Sequence, residues 1–149
     1  HEIPLVALAN GGSVKVIAGS VVVNGAKTSG PIQGVTTDPL YLDIALPAGA
    51  HFTHALAHDY SAFLYAYEGA VRVGPEGAQK ELRTQGAGVL SAGEAIELSG
   101  GAEGARLILL AAKPLREPVV QYGPFVMNTR EQIEQAISDY QNGTLAQVA

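Results

Sequence analysis

The chain has 149 residues, a size that one hydrophobic core can serve, and 47% of the residues are hydrophobic whereas 15% are charged. The 18 Gly and 8 Pro favour a turn-rich β protein over a helical bundle, and the absence of Cys excludes disulfides and thiolate metal sites. A net charge of −5 without any Lys/Arg cluster gives no support to nucleic-acid binding. Because no apolar segment approaches the ~20 residues of a membrane span and the first residues lack a secretory pattern, we expect a cytoplasmic protein with no membrane contact.

Short apolar segments separated by Gly and Pro predict β-strands along the first two thirds of the chain. Val14 and Val16 lie in the first clear segment, and Asn24-Gly25 is typical of a two-residue hairpin turn. Residues 28–31 are predicted to form a loop. Segment 40–46 alternates apolar and polar residues, which predicts a strand with one buried face.

The middle of the chain carries an aromatic stripe. Phe63, Tyr65 and Tyr67 share one face of a predicted strand, and we expect this face to belong to the core or to the wall of a cavity. Glu68-Gly69 is expected to end the strand in a turn. Further strands are predicted around residues 71–73, 88–90, 95–98 and 106–111.

The last third of the chain predicts one helix. Asn128 is the expected N-cap, with Glu131 as its reciprocal partner in a capping box. Gly143 is the expected left-handed end of the helix. Four apolar residues fall on one helical face, namely Ile133, Ala136, Ile137 and Tyr140.

Three segments resemble a known family. Pro47-Ala48-Gly49 together with segment 65–73 resembles the first motif of the cupin superfamily, and segment 86–94 resembles the second motif. Segment 122–129, Tyr-Gly-Pro-Phe-Val-Met-Asn-Thr, is similar to the C-terminal signature of the pirin family. The resemblance implies an all-β cupin, a double-stranded β-helix or jelly-roll sandwich, with one C-terminal α-helix. It also implies that the chain corresponds to the second half of a typical pirin, whose members have two cupin domains.

The domain organisation follows from this resemblance. Residues 1–127 are expected to form a metal-free cupin domain. Residues 128–143 are expected to form a helix packed on or beside it, and residues 144–149 a tail.

The resemblance also bears on metal binding. Cupins bind a divalent metal with two His and one Glu of the first motif and one His of the second, a set that suits Fe(II) or Mn. Aligned on Gly49 and Gly69, these positions fall on Ala55, Ala57 and Ala62, and near Ala95 or Ile96. The resemblance therefore implies no cofactor and no catalytic residue in this chain, and places iron or another divalent metal in a separate N-terminal cupin.

The histidines leave a second interpretation open. His51, His54 and His58 lie within eight residues and form either a displaced metal site or an exposed loop that is rich in His. We favour the loop, because an extended chain puts His51 and His54 on opposite faces and only Asp59 offers a nearby carboxylate. His58 matches a position that is often His in this family, and with Tyr65 and Tyr67 it is expected to line the vacant cupin cavity.

The functional expectation has three forms. The favoured one is a pirin-like, non-catalytic cupin that acts in protein–protein interaction or as the structural partner of a metal-binding cupin, and that forms a two-fold dimer when isolated. The alternatives are one half of a pirin-type quercetin 2,3-dioxygenase, whose metal lies in a separate N-terminal cupin, and a small-molecule binding module. The family signature is expected to be structural or to lie at an interface, and its residues are Tyr122, Gly123, Pro124, Phe125 and Asn128.

Overall fold

The computed structural model describes residues 2–34 and 36–146, and within them the backbone is mostly β-strand with one helix near the end. This confirms the predicted fold class. The strands are β1 (Leu5–Ala7), β2 (Ser13–Ala18), β3 (Ser20–Val23), β4 (Ala26–Ser29), β5 (Leu40–Leu46), β6 (His51–Ala55), β7 (Ser61–Val73), β8 (Lys80–Arg83), β9 (Gly86–Val89), β10 (Ala95–Ala112), β11 (Val120–Tyr122) and β12 (Phe125–Met127), and the helix is α1 (Arg130–Asn142).

The chain forms two compact units, residues 1–114 and residues 115–149. The sequence predicts one domain over residues 1–127, whereas in the structure the β11–β12 hairpin groups with α1. No helix among the described residues is long and apolar enough to cross a membrane.

The first unit is built on two long antiparallel strands. The main sheet has the order β1-β2-β5-β10-β7-β8, while β6 pairs with β10 and β9 pairs with β7. Residues 105–111 of β10 pair with β5, and residues 95–99 of the same strand pair with β6. Strands β7 and β10 therefore run through both halves of the sandwich and hold them together.

The passage from one half to the other occurs at glycines. Gly69 has φ +66°, and the register between β7 and β10 shifts between Gly100 and Ala105. The predicted turn at Glu68-Gly69 is therefore wrong, because β7 continues through a bulge instead of reversing. For the same reason the separate strands predicted at 95–98 and 106–111 are parts of the single strand β10.

The core lies between the two halves of the sandwich. Strand β5 alternates strictly between buried and half-buried residues, as its sequence predicts, and Leu42 and Ile44 are fully buried. Strand β7 contributes Leu64, which lies opposite Leu109 of β10. Apolar residues from β6 and from the first half of β10 join the same cluster, including Phe52.

Local turn residues determine the loop of the small β3–β4 hairpin. Asn24 and Gly25 both have positive φ, 51° and 79°, as a type I′ turn requires. Val23 pairs with Ala26, so Asn24 and Gly25 form the whole loop, as predicted. Residues 28 and 29, predicted as loop, continue β4 because the tight turn places them opposite β3.

The second unit consists of the β11–β12 hairpin and α1, which packs on it. The N-cap of α1 is Thr129, whose hydroxyl accepts a hydrogen bond from the backbone N–H of Gln132 at 3.3 Å. The side chain of Gln132 accepts one from the Thr129 backbone N–H at 3.1 Å. The predicted cap at Asn128 with Glu131 is therefore wrong by one residue, because the chain is still extended at Thr129, with φ −133° and ψ 162°.

The rest of the helix follows the prediction in part. Gly143 ends α1 with φ 71°, as predicted. Ile133 and Ala136 are buried, whereas Tyr140 is exposed, so the apolar stripe is shorter than expected. Of the predicted tail, residues 147–149 lie outside the described residues.

Candidate functional site

The structure shifts the inward face of β6 by one residue from the face that the sequence alignment implied. His54 lies opposite Ile96, which is buried, whereas Ala55 lies opposite Ala95, and both of these alanines are exposed. Ala57, the other predicted His position, is also exposed. The alignment therefore placed the first-motif His positions on the wrong face, because a shift of one residue reverses every side chain of a strand.

The residues that do face inward form a poor metal site. His54 is accompanied by Leu56 on its own segment, by Ile96 on β10 and by Ala62 at the expected Glu position. A protein metal site needs several N, O or S ligands that converge, and at the expected ligand positions Ala62 and Ile96 carry none. Within the described ranges no three His, Cys, Asp or Glu residues could hold an ion together. The donor set therefore does not fit the metal of cupins, and His51 and His58 do not complete it.

A cavity of about 590 Å³ opens beside His54. The β3–β4 hairpin, the segment that precedes β5 and the end of β6 form its walls. Its polar lining includes Lys27, Gln33, Asp38, His54 and Tyr60, and its apolar lining includes Leu40 and Leu56.

One rim of the cavity is a small polar cluster. The Tyr60 hydroxyl donates a hydrogen bond to Asp38 Oδ2 at 2.6 Å, and Lys113 Nζ lies 3.5 Å from the same oxygen. The Lys113 ammonium also lies 5.6 Å from the centre of the Tyr60 ring, within cation–π range. The Tyr60 hydrogen bond is the main cause that lowers the pKa of Asp38, and burial together with Asp38 raises the pKa of Tyr60 to about 12. Asp38 is therefore ionised at neutral pH with its charge compensated.

His54 is one of the residues that line the cavity. Its ring stacks parallel to Phe52, with centroids 6.3 Å apart. Burial lowers the pKa of His54, because the charged imidazolium loses hydration. The ring is therefore neutral at pH 7 and offers one N–H donor and one nitrogen acceptor.

The three residues predicted to line the cavity lie elsewhere. His58 is exposed in the loop between β6 and β7. Tyr65 and Tyr67 point to the outside of the sandwich, since the inward face of β7 carries Leu64 and Ala66. The prediction that the aromatic stripe forms core or cavity wall is therefore wrong.

The outward residues form a continuous surface that we call the outer apolar face. One row of directly paired residues runs from Val89 through Phe63 and Leu110 to Tyr41, and the next row contains Tyr65 and Ile108. Val89 is 89% exposed, Phe63 42% and Tyr65 37%. Exposed apolar patches of this kind commonly mark interfaces.

A polar margin borders this face. The Tyr67 hydroxyl donates to Asp43 Oδ1 at 2.7 Å, and Lys15 Nζ lies 4.0 Å from Asp43 Oδ2. The Arg106 guanidinium lies 5.4 Å from the centre of the Tyr67 ring and 3.6 Å from Glu68 Oε2. Burial and the bond to Asp43 raise the pKa of Tyr67, so the phenol stays protonated at neutral pH.

The family signature serves the second unit. Gly123, with φ +56°, and Pro124 form the two-residue loop of the β11–β12 hairpin, with Tyr122 and Phe125 paired on either side of it. Asn128 donates from its side-chain amide to Glu117 Oε2 and to the Pro118 carbonyl, both at 2.9 Å. Tyr122 is largely exposed and Phe125 is half-buried.

Sequence reasoning did not find the cavity residues Lys27, Asp38 and Tyr60 or the nearby Lys113. The first and the last of them, Lys27 and Lys113, lie 86 positions apart in the sequence, and no short motif joins the four residues. The only local signal is Asp38-Pro39, a typical turn pair, and Asp38 indeed has φ +46°.

Comparison with known proteins agrees with the fold and the motifs. The model of the pirin C-terminal cupin domain matches residues 41–146. A candidate quercetin 2,3-dioxygenase of Pseudomonas aeruginosa is 45% identical over 148 residues, which cover 98% of this chain and 50% of that protein. A pirin-like protein of Caulobacter vibrioides is 41% identical over 142 residues, covering 95% of this chain and 49% of that protein.

Solved structures give the same result. A crystal structure of quercetin 2,3-dioxygenase from Acinetobacter baumannii superposes with a TM-score of 0.79 at 30% identity, covering 99% of this chain and 49% of that chain. The chain thus spans about half the length of the curated relatives and of the solved structure that it matches.

Proposed function

The chain belongs to the pirin family as a C-terminal cupin domain, and from this premise we propose that it is a non-catalytic half that binds and supports a metal-binding cupin. The observation that carries the proposal is the donor set inside the barrel. At the inward positions His54 stands among Leu56, Ala62 and Ile96, so a divalent ion would find one ligand where it needs several.

The outer apolar face supplies the surface for such a partner. Phe63, Tyr65 and Val89 are exposed together, and the pairs Lys15–Asp43 and Arg106–Glu68 border them. A dry centre with a polar margin is the common anatomy of protein interfaces. The relatives contain a further stretch about as long as this chain, and we propose that this second half covers the face.

The first experiment tests the absence of a metal function. The purified chain is loaded with Fe(II) without oxygen, desalted, and analysed for bound metal, and its oxygen uptake with quercetin is recorded. We expect far less than one ion per chain and no oxygen uptake above the buffer rate. Stoichiometric iron that survives desalting, or turnover by the chain alone, would overturn the proposal.

The second experiment tests the partner. The unmatched half of the Pseudomonas relative is titrated with this chain by calorimetry, using Val89→Glu and, as a matched control on the separate β3–β4 hairpin, Val22→Glu. A buried charge without a partner costs several kcal/mol, so we expect Val89→Glu to weaken binding by more than about tenfold. Both residues are largely exposed, so neither change disturbs the core. Equal binding by the two variants would exclude this face as the contact.

The names of the relatives favour one further candidate function. The Pseudomonas relative and the Acinetobacter structure carry the name quercetin 2,3-dioxygenase, so the complete protein would be a dioxygenase whose metal lies in the other half. In that case the mixture of both halves consumes oxygen with quercetin. The isolated chain, and the mixture in which this chain carries Val89→Glu, should consume oxygen more slowly than the mixture with the unchanged chain. No oxygen uptake by the mixture, with binding intact, would leave the chain a supporting half of a non-enzymatic protein.

A further inference from the structure

The cavity beside His54 has the size and composition of a small-molecule site, and no step of the proposed function uses it. Its volume of about 590 Å³ lies within the range of roughly 300–1,000 Å³ typical of ligand pockets. Leu40 and Leu56 give it an apolar wall, while Lys27 and His54 give it separate polar groups.

Lys27 is the cationic group in the lining of the cavity. Asp38 lies at the rim, but Lys113 and the Tyr60 hydroxyl compensate it. Lys27 also lines the cavity, and no ion pair within 4.0 Å involves it in the described part of the chain. A ligand in this cavity would therefore meet one ammonium group whose charge is available to pair with an anion.

The polar side chains of the cavity differ in whether they already have hydrogen-bond partners. The Gln33 amide N–H group is committed to the carbonyls of Gly19 and Gly30. The side chain of His54 makes no hydrogen bond with any described residue, although much of its ring is buried and it stacks on Phe52. A neutral imidazole in this position suits a hydroxyl group, which can donate to one nitrogen or accept from the other.

We propose that this cavity binds a small carboxylic acid that has an apolar body and a hydroxyl group. The carboxylate pairs with Lys27, the apolar body lies against Leu40 and Leu56, and the hydroxyl hydrogen-bonds to His54. This site is independent of the outer apolar face, so it does not depend on the proposed partner.

The test uses 4-hydroxybenzoate and two analogues that each lack one group. The amide 4-hydroxybenzamide lacks the charge, and benzoate lacks the hydroxyl. Binding is followed in amide NMR spectra of the full chain with up to 10 mM ligand. This range covers a dissociation constant of about 1 mM, which is the affinity that we expect from a few contacts. We expect saturable shifts at His54, Leu56 and Lys27, with 4-hydroxybenzoate binding more tightly than either analogue.

Substitutions at Lys27 and His54 test which residue binds the carboxylate and which binds the hydroxyl group. Lys27→Met keeps the length of the side chain and is expected to weaken 4-hydroxybenzoate by about fivefold, since an exposed ion pair is worth up to about 1 kcal/mol, while leaving the amide unaffected. The control Lys80→Met, an exposed lysine on β8, should change nothing. His54→Gln, which keeps a donor and an acceptor, should bind more tightly than His54→Leu.

Three results would overturn the proposal. These are the absence of saturable shifts at the cavity, equal affinity for the acid and the amide, and equal weakening by Lys27→Met and Lys80→Met. Because Lys27 is an exposed residue, its variant is expected to fold.

Discussion

A single methyl group at Gly69 should destabilise the protein far more than the same change at Gly49. Both glycines have positive φ, 66° and 70°, so both substitutions to Ala place a side chain in the left-handed region. At Gly49 an added Cβ meets no atom within 4 Å. At Gly69 it would collide with the backbone carbonyl oxygen of Gly104, at the point where β7 and β10 pass between the two halves.

The expected magnitudes follow from these two environments. The left-handed conformation costs Ala about 1–2 kcal/mol, and the smaller conformational freedom of the unfolded chain returns about 0.4–1 kcal/mol. Gly49→Ala should therefore lower the free energy of unfolding by about 1 kcal/mol. Gly69→Ala carries the same cost and must also displace backbone, for which overpacking costs of about 1–3 kcal/mol are typical, so we expect a total of about 2–4 kcal/mol.

The assay is urea unfolding of the two variants and the parent chain at one pH, followed by circular dichroism. The free energies are comparable only if the slope m is the same, since a changed slope indicates a changed native or unfolded state. A difference of less than about 0.5 kcal/mol between the variants would refute the bulge. In that case the long strands β7 and β10 do not run through both halves as described.

Three further predictions concern single side chains. Thr129→Ala should lower stability by about 0.5–2 kcal/mol and speed hydrogen exchange at the Gln132 amide, whereas Asn128→Ala should leave that exchange unchanged; the opposite pattern would mean that Asn128 is the cap. Tyr60→Phe should raise the pKa of Asp38 toward its ordinary value in an NMR titration, and an unchanged pKa would show that the hydrogen bond is absent in solution. Burial lowers the pKa of His54 in the folded chain, so as the pH drops the unfolded chain takes up this proton at a higher pH than the folded chain does. The urea midpoint should therefore fall as the pH drops below 6.5. His54→Leu should lose that part of the decrease, and an identical pH profile would contradict the burial of the ring.

Local signals explain what the sequence could predict. The Asn24-Gly25 turn, the strict alternation of β5 and the left-handed Gly143 are each determined by residues within a few positions of one another. Such features depend little on the rest of the fold. The capping residue is a harder case, because Asn128 and Thr129 are both good caps and the choice depends on the bonds that Asn128 makes with Glu117 and Pro118.

The residues of β7 alone do not predict which of its two faces points into the core. One face carries Phe63 and Tyr65 and the other carries Leu64 and Ala66, so both faces are apolar and the period of two does not identify the inside. The distinction comes from β10, where the buried Leu109 lies opposite Leu64. The larger aromatic side chains therefore face outward, against the ordinary preference for burying them.

The same ambiguity of one residue in β6 changes the chemistry of the barrel. If Ala55 and Ala57 faced inward, Thr53 would face inward with them and the His54 imidazole would face outward. With His54 and Leu56 inward instead, the interior holds one imidazole whose pKa is lowered by burial. One such group is too few to bind a metal, but it can form a hydrogen bond to an organic ligand beside the Lys27 ammonium. The side of β7 that faces outward thus forms the surface that we assign to a partner, and the orientation of β6 places the half-buried His54 ring in the lining of the cavity that we assign to a small acid.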